Sequence, residues 1–427
     1  MEKKRWAALV GVVVAATTTV IGVQLTRPQG ADSADSAGTD DDALGASEEA
    51  LPPPRLTAKE RILLQRSLNQ VVEQGSSGAV AELVVRNEEG ADVWNGVAGV
   101  ADRTTGEPVD PTAHFRIASL SKPFVAATVL QLVEEGRLGL DDTVEELLPG
   151  VVKGGGQVTL RQLLSHTSGL FSYNKDMPSV RRDPDRVWDP EELVKVANGH
   201  DPVFTPGTDV EYSNTNYVLV AMVIEKVTGR PYTEAVTERI IQPLGLKDTS
   251  IPSESAMPEP VMHAYLAIPP HEGAAPEPSD ITEFNPTRWY GTAQIVSTVS
   301  DINRFWEALL GGEVLGDAVL KEMLTVQGTT DDGYGYALGP RQYTLTCGVD
   351  VWMHSGNIPG YRNWTVHSAE RHFTLFQARF AEDPDPPAWE AIETAMCPAD
   401  APKNPDPTPT ARPSEPVAGT GKDDDGG

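Results

Sequence analysis

The 427-residue chain has only two cysteines, Cys347 and Cys397. Neither belongs to a cluster of Cys, His, Asp or Glu with metal-ligand spacing, which argues against a zinc site. We therefore expect no metal and no other cofactor. In an exported protein an isolated pair is most simply one disulfide, and two buried free thiols are the alternative.

Positive charge is scarce as well. Lys and Arg number 34 against 62 Asp and Glu, so the formal net charge is −28 at pH 7. Nucleic-acid phosphates and anionic membrane surfaces repel an acidic protein, which argues against both as partners. Part of the charge lies in acidic clusters near both ends of the chain, before and after the expected fold.

The one long apolar run is at the N-terminus. Residues 1–27 begin with the basic residues Lys3, Lys4 and Arg5, and the run from Trp6 to Leu25 carries no charge. The pattern is typical of an export signal, and the run is long enough to span a bilayer. No clear cleavage site follows, so we favour a single-pass membrane anchor over a cleaved signal peptide. Both interpretations place the rest of the chain outside the cytoplasm.

Composition also sets the domain boundaries. Residues 28–55 are rich in Asp, Ala, Ser and Gly and end in "LPPPR", and residues 401–427 are rich in Pro and Gly. Both compositions predict disorder, in an N-terminal linker and a C-terminal tail. The folded domain is expected at 56–400, and we expect a monomer.

Sheet-forming segments come from both ends of this domain. A capping box at Thr57 and Glu60 predicts a first helix, and two apolar runs around "NEEG" predict a hairpin. The segments "VWMHSG", "RNWTVHS" and "RHFTLFQARF" predict antiparallel strands before a closing helix. Helical pieces fill roughly 120–285. This order predicts an α/β fold, an antiparallel sheet flanked by helices with an inserted, mostly helical domain and a site in the cleft between them.

The segment "RIASLSKPFVAATVLQLVEEG" places Ser119 three residues before Lys122 at the start of an apolar helix. The two side chains then share one helix face, where a lysine can take the proton of a serine hydroxyl. Backbone N–H groups at a helix start can bind an oxyanion. Alone, the pattern more often marks a capped helix with a solvated lysine. Ser121 has no lysine three residues on.

Three other features near these residues invite a catalytic interpretation. Ser172 and Lys175 repeat the Ser-x-x-Lys pattern, but no apolar helix follows them, so we reject Ser172 as a nucleophile. We interpret His166, in "SHTSGL", as a structural loop residue. The aromatic pair at 289–290 either lines a cleft or packs in the core.

Two further motifs carry suitable chemistry. Residues 212–214 are Tyr-Ser-Asn, where a phenol can act as general acid or base and an amide can bond a substrate amide. Residues 354–356 are His-Ser-Gly at the end of a strand-like run, where Gly356 would let a substrate backbone come close. Taken alone, the Tyr-Ser-Asn motif is also typical of a helix start. The His-Ser-Gly motif alone is also typical of a strand that ends in a turn.

The three motifs together resemble those of the penicillin-recognising serine hydrolases, in the class C β-lactamase and D-alanyl-D-alanine carboxypeptidase type. The resemblance covers about 56–400 and extends to "LLSHTSGLFSY" and "IVSTVSDINRFWEALLGG". It implies a β-lactamase/transpeptidase-like fold. It also implies peptidoglycan stem peptides or β-lactams as substrates.

The third motif narrows the resemblance. Most relatives have Lys-Thr-Gly there, whereas His-Ser-Gly is similar to the His-Thr-Gly of secreted actinomycete DD-carboxypeptidases. Those enzymes have an arginine shortly before a cysteine and a second cysteine in the last helix, as here at Arg341, Cys347 and Cys397. The resemblance implies that Arg341 and Ser355 bind a terminal carboxylate and that the cysteines form a disulfide. The family usually has a Gly-rich turn at the place where this chain reads "GTAQIVST". We expect Gln294 in this segment to reshape the pocket wall.

The resemblance implies catalytic roles for Ser119, Lys122 and Tyr212, and substrate-binding roles for Asn214, Arg341, His354, Ser355, Gly356 and Asn357. Ser119 would attack the carbonyl of the penultimate D-Ala while Lys122 and Tyr212 handle its proton. N–H groups of Ser119 and Asn357 would hold the oxyanion, and Asn214 would orient the substrate amide. His354 would supply positive character or a hydrogen bond near Tyr212. We expect a D-alanyl-D-alanine carboxypeptidase.

Three alternatives stay open. A β-lactamase and a β-lactamase-like esterase share the fold and differ in leaving group and deacylation rate, which the sequence does not fix. A catalytically silent envelope protein that binds a ligand is the third. Arg341 weakens the esterase interpretation because it favours a substrate that ends in a carboxylate. The combination of Ser119, Lys122 and Tyr212 argues against a silent protein.

Overall fold

A computed structural model describes residues 56–87, 90–268, 277–330, 333–379 and 386–397. The predicted export segment 1–27, linker 28–55 and tail 401–427 lie outside these residues. Within the described ranges, every helix is too short or too polar to cross a membrane.

The described residues form ten α-helices and twelve strands. The helices are α1 (Ala58–Glu73), α2 (Lys122–Glu134), α3 (Val144–Leu147), α4 (Leu160–Leu164), α5 (Pro190–Asn198), α6 (Asn214–Thr228), α7 (Tyr232–Val236), α8 (Val299–Leu310), α9 (Asp317–Met323) and α10 (Pro386–Met396). The strands are β1 (Ser76–Asn87), β2 (Gly90–Gly99), β3 (Phe115–Arg116), β4 (Tyr265–Ile268), β5 (Glu277–Asp280), β6 (Val296–Ser297), β7 (Gly328–Thr329), β8 (Gly335–Tyr336), β9 (Arg341–Thr344), β10 (Asp350–Ile358), β11 (Tyr361–His367) and β12 (Arg371–Arg379).

Eight strands form one antiparallel sheet in the order β2-β1-β12-β11-β10-β9-β8-β7. Strand β3 pairs with β6, and β4 with β5, in two small separate ribbons. The sheet thus joins strands from the start and the end of the domain. The helical region between β3 and β6 is inserted between them, which confirms the predicted α/β fold.

Helices cover both faces of the sheet. Helices α1 and α10 pack on one face and α8 packs on the other. Strand β11 is consequently buried along its whole length. The core under α1 and α10 includes Leu68, Leu83 and Ile392. The core on the opposite side joins the sheet to the inserted helices and includes Phe124 and Phe305, whose rings stack at 3.6 Å.

Helix α2 is the central helix of the inserted region. Its residues from Lys122 to Leu130 are all buried, and it packs on α6 and α7. A helix that is apolar on all sides is normally enclosed by other elements, and α2 is enclosed in this way. The N-terminus of α2 is therefore held firmly between the helical region and the sheet.

Several local predictions are confirmed, with one difference. Thr57 and Glu60 form the predicted capping box, and the predicted hairpin is β1-β2. The helix predicted from Ser119 begins instead as a 3-10 turn, Ala118–Ser121, and becomes α-helical at Lys122. Ala118 has φ of 55°, a left-handed conformation from which an α-helix cannot start smoothly.

Candidate active site

The turn that carries Ser119 packs against the edge of strand β10. Strand β10 pairs with β11 as far as Ile358, but its pairing with β9 ends where Met353 meets Arg341. The edge of β10 beyond Met353 is therefore not taken by β9. Two of the three motifs thus meet at one place, although they are far apart in the sequence.

Gly356 allows this approach. A Cβ at Gly356 would overlap the carbonyl oxygen of Ile117 and lie 2.9 Å from Leu120 Cδ1 and 3.0 Å from Ala118 Cβ. We predicted that Gly356 lets a substrate backbone come close. The protein's own turn fills the space where a side chain of residue 356 would lie, and the approach of a substrate backbone stays a prediction.

The turn around Ser119 is shaped by its neighbours. Ala118 has a left-handed backbone, which is uncommon outside glycine and places strain directly before the predicted nucleophile. Ser121 Oγ donates to the Ala118 carbonyl at 2.8 Å and accepts the Ile295 N–H at 3.2 Å. Ser121 therefore has a structural role in this turn.

Lys122 is fully buried, and its Nζ reaches three oxygen atoms. They are Ser119 Oγ at 3.1 Å, Asn214 Oδ1 at 2.8 Å and the Thr292 carbonyl oxygen at 3.1 Å. The amide and carbonyl oxygens can only accept. A neutral lysine has two N–H groups, which these two oxygens use, so its lone pair is directed at Ser119. That arrangement suits Lys122 to take the proton of Ser119.

The Tyr-Ser-Asn motif lies on the other side of Lys122. Lys122 Nζ is 4.8 Å from the centre of the half-buried Tyr212 ring. Ser213 is the N-cap residue of α6, but its side chain makes no capping bond. Ser172 Oγ instead accepts the first N–H of the helix, that of Asn214, at 2.8 Å. The rejected serine thus lies beside the site and supports it.

His166 packs against Tyr212, with ring centres 4.3 Å apart. Its Nδ1 accepts the Ser213 N–H at 3.2 Å, and its backbone has φ of 60°. Burial, with smaller effects of Lys122 and Arg341, holds the pKa of His166 well below its ordinary value. These contacts support the predicted structural role.

His354 is also buried and neutral. Its Nδ1 lies 2.6 Å from the Ser355 carbonyl oxygen, which only accepts, so Nδ1 carries the hydrogen. Burial, and then Arg341 and Lys122, hold the pKa of His354 well below its ordinary value. The expected positive character is therefore wrong. Nε2 remains available as an acceptor, and it has no hydrogen-bond partner among the described residues.

Arg341 and Ser355, which the family resemblance assigns to one carboxylate, lie together in the structure. Arg341 Nη2 donates to Ser355 Oγ at 2.5 Å, and both side chains are buried. The Arg341 guanidinium also lies 5.0 Å from the Tyr334 ring centre and 5.5 Å from that of Tyr336. A planar guanidinium beside a hydroxyl offers several donors to one carboxylate.

The remaining predicted residues are Asn357 and the two cysteines. Asn357 is half-buried on β10, opposite Arg362 of β11. Cys347 and Cys397 are joined in a disulfide with Cα atoms 5.9 Å apart, which links the β9-β10 turn to α10. The disulfide is thus attached to the hairpin that presents Arg341.

The segment 289–294 contributes differently from expectation. Trp289 is buried against Phe284, with ring centres 4.9 Å apart, so it packs in the core. Gln294 accepts from the Tyr232 hydroxyl at 2.5 Å and donates to the Pro252 carbonyl at 2.7 Å. Both ends of this amide are bonded within the core, so its effect on the pocket is to hold the segment that presents the Thr292 carbonyl.

Sequence reasoning missed two residues that contact the site. Thr292 binds Lys122 through a backbone oxygen, which no side-chain pattern reveals. Asn174 Oδ1 accepts from Asn214 Nδ2 at 2.9 Å. The local sequence holds one indication of a role for Asn174, which is its position inside the rejected Ser-x-x-Lys segment.

Comparisons with known proteins agree with this geometry. A protein-family model described as Beta-lactamase matches residues 64–389. Penicillin-binding protein 4* of Bacillus subtilis (strain 168) is 32% identical over 305 residues, 67% of this chain and 65% of that protein. A D-aminopeptidase of Brucella anthropi is 28% identical over 330 residues, 76% of this chain and 60% of its own. The matches therefore span less than two thirds of these two relatives.

A solved structure extends the likeness. The D-stereospecific amidohydrolase from Streptomyces sp. superimposes with a TM-score of 0.71 and 38% sequence identity, covering 79% of this chain and 98% of that one. The family model and this superposition support the β-lactamase-like α/β fold. The chain belongs to the Beta-lactamase family of serine hydrolases.

Proposed function

We propose that this serine hydrolase is a D-alanyl-D-alanine carboxypeptidase that cleaves peptidoglycan stem peptides through a Ser119 acyl-enzyme. The observation that carries the proposal is the 2.5 Å hydrogen bond from Arg341 of β9 to Ser355 of β10, the strand beside the Ser119 turn. A guanidinium paired with a hydroxyl is suited to a carboxylate, and a carboxypeptidase must bind the carboxylate of the residue it releases. The predicted export segment supports an extracytoplasmic location.

Acylation begins at Ser119. The neutral Lys122 amine accepts the Ser119 hydroxyl proton while Oγ forms a bond to the carbonyl carbon of the penultimate D-Ala. The negative charge on the carbonyl oxygen is held by N–H groups of Ser119 and Asn357. When the tetrahedral intermediate collapses, the peptide C–N bond breaks. The terminal D-Ala nitrogen then takes a proton from Lys122, with Tyr212 as the second proton carrier, and leaves as the free amino acid.

Deacylation uses the same groups in reverse order. Water gives a proton to Lys122 and adds to the ester carbonyl, and Ser119 regains its proton as the ester bond breaks. A β-lactam acylates Ser119 in the same way, but its leaving group stays attached through the opened ring. A penicillin-binding carboxypeptidase releases that adduct slowly, whereas a β-lactamase hydrolyses it rapidly.

A second candidate function is the hydrolysis of D-amino-acid amides or of peptides with an N-terminal D-residue. Its support is the 38% identity to the D-stereospecific amidohydrolase, together with the likeness to the D-aminopeptidase. Both functions place a D-residue on the acyl side of the broken bond. They differ in the leaving group, which is a free amino acid in one case and ammonia or a longer peptide in the other.

Three substrates separate the candidates. They are an N-acylated peptide ending in D-Ala-D-Ala, the same peptide with a C-terminal amide, and D-alanine amide. The carboxypeptidase proposal predicts release of free D-Ala from the first and at least tenfold slower cleavage of the second, because the carboxylate is missing. Cleavage of D-alanine amide alone would replace the proposal with the second candidate. Fast turnover of penicillin, with all three peptide substrates untouched, would establish a β-lactamase.

A further inference from the structure

We propose that Ser172 and Asn174 are positioning residues, which hold the Asn214 amide in the one orientation that leaves the Lys122 lone pair facing Ser119. The inference rests on the Ser119–Lys122 chemistry of the proposed function, and not on the identity of the substrate. It gives a role to a segment that sequence reasoning set aside.

Three residues close a ring of hydrogen bonds. The Asn214 N–H donates to Ser172 Oγ at 2.8 Å, and Ser172 Oγ donates to Asn174 Oδ1 at 2.6 Å. Asn214 Nδ2 donates to the same Asn174 Oδ1 at 2.9 Å. Ser172 Oγ accepts from the backbone N–H and uses its single hydrogen to donate to Asn174 Oδ1. With Oδ1 of Asn174 turned toward Ser172, each remaining donor and acceptor in the ring has one assignment.

The ring decides which end of the Asn214 amide faces Lys122. Asn174 Oδ1 can only accept, so Asn214 must turn Nδ2 toward it and Oδ1 toward Lys122, where the distance is 2.8 Å. With the amide reversed, Nδ2 would donate to the lone pair of a neutral lysine. The lone pair would then be engaged by Asn214 instead of Ser119, and the amine could not act as a base.

The segment that carries the pair is firmly held. Tyr173, between the two residues, is buried, and its hydroxyl donates to the Arg288 carbonyl at 2.6 Å. Its N–H donates to Thr215 Oγ1 at 3.0 Å. Lys175 forms an exposed ion pair of 2.5 Å with Glu211, the residue before Tyr212. Such an exposed pair contributes little, so Asn174 is held mainly through its buried neighbour Tyr173.

The charged and titratable groups around Lys122 matter for the test. The Tyr212 and Tyr217 rings lie 4.8 Å and 5.5 Å from its Nζ. The remaining groups on the surrounding elements are Arg341, the Lys175–Glu211 pair, and His166 and His354, whose pKa values Lys122 helps to lower. None of them is altered by a substitution at Asn174.

The test compares two variants of the full chain, Asn174→Leu and Asn174→Asp. Leucine has nearly the same shape and no acceptor, so kcat should fall by about tenfold or more, as expected for a lost hydrogen bond beside a charged group, with a smaller change in KM. Aspartate keeps the acceptor and should restore kcat at high pH. Its negative charge favours the protonated lysine, so the acid limb of the kcat/KM profile should move to higher pH.

Lys175→Ala is the matched control in the same turn and should leave both the rate and the pH profile unchanged. The rates are measured with the D-Ala-D-Ala peptide and with p-nitrophenyl acetate, an ester that needs Ser119 and Lys122 but no peptide recognition. If the wild type cleaves only the ester, the carboxypeptidase proposal fails, while the variants still test the positioning role. Three results would overturn the inference. The first is a wild-type kcat in Asn174→Leu, and the second is an equal loss of kcat in both Asn174 variants with an unshifted pH profile. The third is a wild type that is inert toward both substrates.

Discussion

Two buried basic side chains, Lys122 and Arg341, have different tasks in this site. Lys122 Nζ lies 3.1 Å from Oγ of Ser119, the proposed nucleophile, while Arg341 Nη2 lies 2.5 Å from Ser355 Oγ. Burial holds the pKa values of His166 and His354 well below their ordinary values, and the nearby Lys122 and Arg341 add to this effect. The site therefore offers acceptor nitrogens on two histidines, a permanent positive charge on Arg341 and an amine at Lys122 that can take or give a proton.

Arg341→Lys tests the carboxylate role. A lysine keeps the charge but loses the planar fork, so it cannot bind both Ser355 and a carboxylate in the same geometry. We expect KM for the D-Ala-D-Ala peptide to rise about tenfold or more. The rate on the same peptide with a C-terminal amide should change little, and initial rates at several concentrations measure both. An equal loss on the acid and amide forms would show that Arg341 does not read the carboxylate.

Elements meet in this site because strand β10 approaches the Ser119 turn at a residue without a side chain. The left-handed Ala118 and Gly356 face each other there, and a Cβ on Gly356 would lie 3.0 Å from Ala118 Cβ. A packed interior cannot absorb such an overlap without moving the backbone. Any movement would separate Ser119 from Lys122 or from the edge of β10.

Gly356→Ala should therefore lower kcat/KM by at least about tenfold, since a displacement on the order of 1 Å in an active site is costly. The free energy of unfolding should fall as well, by about 1–3 kcal/mol for an overpacked site. Steady-state kinetics and urea unfolding measure the two effects. Gly156→Ala is the control, because a Cβ there meets no atom within 4 Å and its φ is not positive. A fully active Gly356→Ala would contradict the close approach of β10 to the turn.

The disulfide acts on a second element, the β9-β10 hairpin. It links Cys347 to Cys397 across 50 residues of sequence. Restricting the unfolded chain over a loop of this length contributes about 4 kcal/mol in the chain-entropy model. Replacing both cysteines with serine should lower the free energy of unfolding by about that amount and leave the chemistry of Ser119 intact well below the melting temperature. Reduced wild-type protein should behave in the same way in urea, and two titratable thiols in unreduced, unfolded wild type would contradict the bond.

The whole molecule contains a buried polar row that crosses the sheet next to α8. It is formed by His372, His367, Thr365, Thr374, Asn303 and Glu82. The hydrogen bonds lead to the Glu82 carboxylate, which also accepts from Ser300 Oγ at 2.5 Å. Thr374 donates to Asn303, so Thr365 must donate to Thr374 and accept from His367 Nε2. His367 Nδ1 then accepts the hydrogen on His372 Nδ1.

This row makes the fold sensitive to acid. Burial lowers the pKa of His372 to about 4 and holds the pKa of His367 well below its ordinary value. The unfolded chain then binds more protons than the folded one as the pH falls from about 6.5 toward 4, so stability is lost in that window. Between pH 7.5 and 5, His372 alone accounts for about 2 kcal/mol of this loss.

His372→Gln should remove that part of the acid sensitivity. Urea unfolding at pH 7.5 and at pH 5 gives the change in unfolding free energy for each protein. The change should be smaller in His372→Gln than in the wild type by about 2 kcal/mol, whatever the variant's stability at pH 7.5. Equal changes in the two proteins would show that His372 is not a buried neutral residue.

Sequence reasoning reached the fold and the main motifs because their signals are local. The capping box at Thr57 and the Ser119–Lys122 spacing are each set within four residues. The contacts that complete the site join distant positions, such as Thr292 with Lys122, 170 residues away, and Ser172 with Asn214, 42 residues away. The packing beside Gly356 and the neutral state of His354 both depend on distant residues that surround them in the folded chain. The local sequence does not show which residues these are.

The most direct test of the central claim is peptide-mapping mass spectrometry of the full chain after incubation with labelled penicillin. We predict one adduct with the mass of the intact penicillin, located on Ser119, and no adduct in Ser119→Ala. The wild type should also release D-Ala from the D-Ala-D-Ala peptide, and penicillin should block that release at one equivalent per chain. An adduct on another residue, or undiminished D-Ala release by Ser119→Ala, would contradict the assignment of Ser119 as the nucleophile.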